Sequence, residues 1–474
     1  MQFSFDAELR GAAGATVPVY CEVQPPYVGG QKSLIRLAVP AQHVSASPPV
    51  NPCSLAGERG DFTIKMQGIH WRRFPTSSQG TLGLEAIELL HIESLTIQST
   101  VSSAQREIRF HIAPISYLRS ESNGAHFGDR SHSEELFVLD LPHLGATRFV
   151  AEWTTLYHRD AEIPGATVIV GFSAVVGLPA DTPIDVDRMV AKFRSSLDVL
   201  SVLFRQAVSL HGWTYTDGET MSVSTWVNPL DPNVTPSARE SRGDFVTRPQ
   251  AFAEGAARLA HAYENADEAT RSLVRHLAVA VNPHNHSRTN DHFLFMFSAL
   301  ERVVESVWRH DQTPRTPAAT DKALATLLNR LRETVVAEGG EYAPEISKRL
   351  GGFIKTVENG AGVREKFEAF FRVYPAMKLC HADLWPIFGS EKQRGLRELR
   401  HALAHGRSSF VSLDVIAVAE WHLAILLERL IFVLLGLTVP EGISPGSFLL
   451  RTAGRGWYER DQWALLQSKP DQAI

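Results

Sequence analysis

The chain predicts an α+β protein of several domains, with a β-rich N-terminal region (a sandwich or open barrel) followed by an all-α helical bundle. Three observations carry that expectation. At 474 residues the chain is too long for one small core. Its first 180 residues hold short runs in which apolar and polar residues alternate, broken by Gly, Pro and Ser clusters. From about residue 250 onward the apolar residues recur every three or four positions, the period of a helix with one buried face.

The elements follow in order. VPVYCEV, SLIRLAV, DFTIKMQGI, REIRFHI and ATVIVGFSAVVGL read as strands of sheets with one wet face, filling residues 1–180. Residues 181–245 form a mixed extension. IDVDRMVAKFRSSLDVLSVLF has helical spacing, with Asp185 or Asp187 able to cap its start, and AVSLHGWTYTD and MSVSTWVN read as two further strands. LDPNVTPSARESRGDFVTRPQ, rich in Pro, Ser, Arg and Asp, marks the domain boundary. Amphipathic stripes then run from AFAEGAARLAHAYENA through DHFLFMFSALERVVESVWRH and VREKFEAFFRV to EKQRGLRELRHALA. A long apolar helix follows, so residues 246–440 form the helical domain and 441–474 a tail.

Composition narrows the function classes. With 44% hydrophobic and 21% charged residues the chain has the make-up of a soluble globular protein. A net charge of −5 offers no global basic field, so nucleic acid would need a local patch. Cys21, Cys53 and Cys380 are far apart and form no CxxC pair, which excludes a cysteine-built zinc module and fits a reducing cytosol. The N-terminus carries Asp6 and Glu8 and no apolar core, so it is not expected to be a signal peptide. Glu428 and Arg429 interrupt WHLAILLERLIFVLLGL, which favours a buried helix over a membrane span. A cytoplasmic protein without a membrane partner is expected. With no GxxxxGK[ST] loop, ATP-driven chemistry is not supported.

The chemistry-bearing stretch is RHALAHGR, residues 400–407. It admits three readings. His401 and His405, four apart, share a helix face as zinc ligands do, but Ala402 stands where an HExxH protease has its glutamate. Gly406 suits the position past a helix end, where His405 and Arg407 would simply complement the helix dipole. The third reading is metal-free cleavage of RNA, which needs a base for the 2′-OH, a cation for the phosphate and an acid for the leaving oxygen. From Glu391 to Arg407 the basic residues Lys392, Arg394, Arg397, Arg400 and Arg407 outnumber the acidic Glu391 and Glu398 by three, the local patch a phosphate cleft requires. Arg400 and His405 lie roughly 140° apart on an ideal helix, so they converge only if the helix frays or the arginine reaches around. Glu301 and Glu305 share a helix face, either as a solvated stripe or with one carboxylate orienting Arg397 or Arg400. PHNHSRTNDH contains HNH by letters but precedes a helix and reads as a loop with Asn290 or Asp291 as cap, or with His284 or His286 lining the cleft. Trp213 and Trp226 read as core, or as an aromatic recognition surface.

Arg400 through His405 fits R-x4-H with polar His401 directly after the arginine, and this resembles the signature of HEPN domains, helical bundles of RNA-cleaving defence proteins. FLFMFSALERVVESV resembles their early helix with an aromatic face and a glutamate, and the β-rich region before a helical domain resembles ApeA-type anti-phage proteins. The resemblance implies a HEPN endoribonuclease of an abortive-infection system, in which Arg400 holds the phosphate and His405 acts as general base or acid. His401 takes the supporting polar place, where the family more often has Asn. It further implies a homodimer through the helical domain, no metal or other cofactor, a 2′,3′-cyclic phosphate product, structured RNA such as tRNA as target, and a phage trigger; the size and separate composition of residues 1–180 lead us to expect them as a sensor or regulatory domain. Arg397, Glu301 and Glu305 would support the site, and Lys392, Arg394 and Arg407 would bind RNA. A HEPN adaptor that binds RNA without cutting it stays open, as does a zinc hydrolase on His401 and His405.

Overall fold

The computed structural model describes residues 3–24, 34–44, 48–75, 84–100, 105–112, 132–158, 165–180, 183–218, 221–227, 246, 251–282, 289–310, 319–359, 363–390, 393–405, 412–445 and 465. The contacts divide the chain into two compact units, Met1–His286 with Leu434–Tyr458 and Ser287–Val433 with Glu459–Ile474.

The first unit is built on strands whose side chains alternate between core and solvent. In β2 (Thr16–Gln24), Val17, Val19, Cys21 and Val23 point inward, and the residues between them do not. β1 (Phe3–Gly11), β2, β3 (Leu34–Pro40), β6 (Leu84–His91), β5 (Phe62–Arg73) and β4 (Cys53–Arg59) pair in that order, and β4 returns to both β1 and β5. The sequence favoured a sandwich or an open barrel. The β4–β5 pairing instead closes a six-stranded barrel around Leu9, Val19, Val23, Ile64 and Met66. Closure leaves these six strands no free edge among themselves.

The sheet then continues from β5 through β7 (Ser94–Ser99), β13 (Ser222–Val227), β12 (Leu210–Thr216), β8 (Glu107–Ile112), β11 (Gly165–Gly177) and β10 (Gly145–His158) to β9 (His132–Leu141). The two late strands of the mixed extension are therefore inserted between earlier ones. α1 (Val186–Leu203) packs on the extended sheet, with Phe193 stacked on Phe110 of β8 at 4.1 Å between centroids. Asp185 caps this helix, its Oδ1 accepting the Arg188 amide at 2.9 Å. α2 (Phe252–Asn265) and α3 (Glu268–Val281) also belong here: α2 lies against β9, both helices pack on α1, and Phe252 meets Phe137 and Phe204. The unit boundary thus falls at residues 286/287, not at the Pro- and Ser-rich stretch ending near 245, because the apolar faces of α2 and α3 are buried by strands and α1. The segment 228–245, and the tail beyond 445 apart from residue 465, lie outside the described residues.

The second unit is helical: α4 (Thr289–His310), α5 (Ala319–Glu338), α6 (Ala343–Asn359), α7 (Val363–Val373), α8 (Ala376–Cys380), α9 (Leu396–Ala404) and α10 (Leu413–Leu434). α10 is buried nearly all round from Ile416 to Phe432, the signature of a central core helix. Arg429 makes that burial possible. Its guanidinium forms a two-pronged pair with Asp383 at 2.5 and 2.8 Å and also donates to the Cys380 carbonyl. Among the described residues no helix is long and apolar enough to cross a membrane.

Candidate functional site

α9 carries the RHALAHGR motif, and its position is set by the loop before it. Leu396, Leu399 and Leu403 are buried at helical spacing and fix which face turns inward. The first amides of a helix have no partner within it. Here Leu396 N–H donates to the Pro386 carbonyl and Arg397 N–H to the Ile387 carbonyl, both at 2.9 Å. Glu398 Oε2 accepts from the Gly389 and Gly395 amides at 2.7 and 2.9 Å. Gly395 allows this close approach, because a Cβ there would run into the Gly389 amide and the Phe388 carbonyl carbon. The loop is held in turn by Trp385, whose amide donates to His422 Nδ1 of α10 at 3.1 Å while its ring stacks on that imidazole. The helix therefore starts at Leu396, not within the preceding EKQRG.

The second half of α9 carries a cation, which turns to α4, and two imidazoles, which meet each other. Arg400 is about one-third exposed and pairs through Nη2 with Glu301 Oε2 of α4 at 3.2 Å, so Glu301 is the carboxylate that orients the arginine. His401 and His405 are exposed, with ring centroids 4.3 Å apart and planes inclined at 58°. The helix gives way at His405 (φ −98°, ψ 17°), yet the His405 amide still reaches the His401 carbonyl at 3.2 Å. The side chain that meets His405 is thus His401, one turn back on the same face.

Other predicted residues are distributed differently. Glu305, one turn beyond Glu301, is engaged by Lys366 of α7 at 2.5 Å and by Arg309 at 3.1 Å. Those cations, Lys366 first, hold its carboxyl below the usual range, so Glu305 supports α4–α7 packing and not Arg400. Arg397 lies over the Phe388 ring at 5.9 Å, with Arg364 at 5.1 Å from the same ring, a cation–π arrangement. Arg394 is half-buried beside the Gly395 turn. Lys392 and Arg407 lie outside the described residues, as do Gly406, His284 and His286.

The structure also shows surroundings that sequence reasoning passed over. His292, from PHNHSRTNDH, lies inside α4 and pairs its Nδ1 with Glu420 of α10, both largely buried. Asn290 likewise sits within the helix rather than capping it, with a buried Oδ1 that has no partner among the described residues. In the first unit, Trp213 lies under Arg194 at 6.0 Å, and Trp226 stacks on His111. No spacing rule marks such pairs, since each partner comes from a distant element. Among the described residues no three His, Cys, Asp or Glu side chains converge as a metal site. No protein-family model, no curated protein and no solved structure matches the chain, so the reading of the site rests on its own geometry.

Proposed function

We propose that the helical unit is a metal-independent endoribonuclease of an anti-phage, abortive-infection system, acting as a homodimer, with the β-rich unit sensing the trigger or restraining activity. The observations that carry the catalytic reading are two contacts on the second half of α9: Arg400 is held by Glu301, and the His401 and His405 rings meet each other. In the proposed reaction one imidazole takes the proton of the ribose 2′-OH as O2′ attacks phosphorus. The Arg400 guanidinium neutralises the charge gathering on the phosphoryl oxygens. The P–O5′ bond breaks, and the second imidazole, as imidazolium, protonates O5′. The products are a 2′,3′-cyclic phosphate and a 5′-hydroxyl end, and the protein needs no cofactor for any step. Imidazole suits both roles because it titrates nearest neutrality of all side chains.

The half-exposed Arg394 extends the cationic surface near the start of α9, and Lys392 and Arg407 complete the proposed RNA-binding patch in sequence. Structured RNA such as tRNA is the proposed target. The test is cleavage of a mixed tRNA and mRNA pool in EDTA by wild type, Arg400→Ala and His405→Ala, with product ends mapped. Cleavage by wild type alone, leaving cyclic phosphate ends, supports the reading. Equal cleavage by all three proteins would sink it. A salt-dependent RNA complex without product would favour a non-catalytic adaptor, and activity lost in EDTA would favour a zinc hydrolase on His401 and His405.

A further inference from the structure

We infer that Arg364 and Arg397, gathered on the ring of Phe388, form a subsite for the phosphodiester backbone of an RNA strand, beside the phosphate to be cleaved. The identity of the strand rests on the ribonuclease reading; the subsite itself rests on α7, α9 and the loop between them. Arg364 and Phe388 belong to no motif of the sequence, and Arg397 gains a contact with substrate in place of a supporting role.

Phe388 is the fixed point of the arrangement. Its ring meets the buried Phe367 of α7 edge to face, with centroids 5.3 Å apart and planes at 87°. The next residue, Gly389, is tied to α9 through Glu398. Arg364 stands one turn before Phe367 on α7, and Arg397 is the second residue of α9. The packing therefore delivers two guanidinium groups to one ring, at 5.1 and 5.9 Å from its centroid. At such distances the ring attracts both cations and holds them in place.

The charge around this ring is not offset. Both arginines are exposed, and among the described residues neither forms an ion pair. The nearby carboxylates are engaged elsewhere or stand apart. Glu398 accepts from the Gly389 and Gly395 amides, and Glu305 is taken by Lys366 and Arg309. Glu365 and Glu368 of α7 pair with neither guanidinium. Half-buried Arg394 adds a third cation at the start of α9. Arg364 and Arg397 each lie in the first turn of a helix, where the positive end of the dipole disfavours a cation and favours an anion.

Phosphate is the anion that a planar guanidinium fork holds best, through two parallel hydrogen bonds. Position selects a nucleic-acid strand as its source. Arg397, His401 and His405 follow at four-residue steps along one side of α9, with Arg397 about 6 Å before His401 on the helix axis. A strand with its scissile phosphate at the imidazoles thus brings a neighbouring phosphate to Arg397 and Arg364. A membrane surface fits less well. Among the described residues no exposed large apolar side chain lies between Leu384 and His405, and on α7 the one such residue is Val373, at the far end from Arg364. The face offers no apolar anchor for a lipid surface.

The test is fluorescence anisotropy of a labelled, 2′-O-methylated RNA oligonucleotide with the full-length protein. Such a strand cannot be cut, so binding is read whether or not the protein is a nuclease. Arg364→Ala and Arg397→Ala should each weaken binding about tenfold at low salt and flatten the slope of log K against log salt by about 0.7. The loss should be the same for oligonucleotides of different base sequence, because phosphate contacts carry no sequence information. Arg364→Lys keeps the charge and should keep the slope, which separates lost contact from lost folding. Arg349→Ala, whose guanidinium is committed to Glu345 of its own helix, should change neither. Unchanged slopes in both alanine variants overturn the subsite and leave the ribonuclease reading standing. The expected slopes without cleavage of an unmodified oligonucleotide support the subsite and remove the nuclease. A wild type with no affinity for the oligonucleotide overturns the inference. So does binding to phosphatidylcholine–phosphatidylserine vesicles that depends on Arg364 while RNA binding does not.

Discussion

Glu301 and Glu305 stand one turn apart on α4, yet Glu301 meets Arg400 while Glu305 is taken by Lys366 and Arg309. That division sets how each should respond to substitution. Under the ribonuclease reading, Arg400→Ala and His405→Ala are expected to lower single-turnover cleavage by about 10²- to 10⁴-fold. Glu301→Gln touches only the arginine and should cost about tenfold or less, with the amide still able to hold one guanidinium N–H. If Glu301→Gln were as damaging as Arg400→Ala, the carboxylate would belong to the chemistry and not to positioning. A second residue-scale prediction concerns His111 in β8, which contacts Thr214 at 2.9 Å and Ser173 at 3.4 Å. Burial pushes its pKa down to about 3, with the Arg109 and His211 charges adding to the effect. The unfolded chain takes up this proton below about pH 6.5, whereas the folded protein refuses it until near the lower value. The contribution of His111 is therefore fully present above pH 6.5 and is lost as pH falls toward 3, at up to about 1.4 kcal/mol per pH unit. Urea unfolding at pH 7 and pH 5 should show a flatter dependence for His111→Gln, and equal slopes would reject the assignment.

At the scale of elements, α9 was legible because Leu396, Leu399 and Leu403 repeat at helical spacing, but its first residue was not. EKQRG carries charges compatible with a helix, and only the docking of Leu396 and Arg397 onto Pro386 and Ile387 shows where the turn begins. The Arg400–Glu301 pair was within reach of the sequence as one of several carboxylate–guanidinium choices. Lys366 was not, because nothing in VREKFEAFFRV says which face meets α4. A prediction at this scale follows from the cap. Glu398→Ala leaves the Gly389 and Gly395 amides without their acceptor and should cost about 1–2 kcal/mol of stability in chemical denaturation. Gly395→Ala should cost more, since the added methyl group collides with backbone that has no alternative path. If the alanine were neutral there, the close approach of Gly389 and Gly395 would not be what seats the motif.

For the whole molecule, composition and periodicity gave the change from strands to helices, while strand partnership stayed hidden. Closure through β4–β5 and the insertion of β12 and β13 between β7 and β8 are long-range pairings that alternation cannot encode. The same blindness moved the apparent boundary, because Pro and Ser punctuation marks a break in the chain and not a break in packing. α2 and α3 look like the start of the helical domain, yet Phe252, Leu259, Val274 and Leu277 are buried in the first unit. Two fragments separate these accounts. Residues 287–433 enclose α4 to α9 and nearly all of α10, with Phe293, Phe297, Phe367, Trp385 and Leu423 buried, and should give a helical fragment that unfolds cooperatively. Residues 246–440 add two helices whose apolar faces have lost α1 and the sheet, and that fragment should aggregate or bind a hydrophobic dye. Each of those four side chains exposes about 1.5–3 kcal/mol of burial energy when its partners are absent. Light scattering and thermal melts on the two fragments decide the matter. A cooperative, monodisperse 246–440 beside an unfolded 287–433 would return the boundary to the Pro- and Ser-rich stretch and make α2 and α3 part of the helical unit.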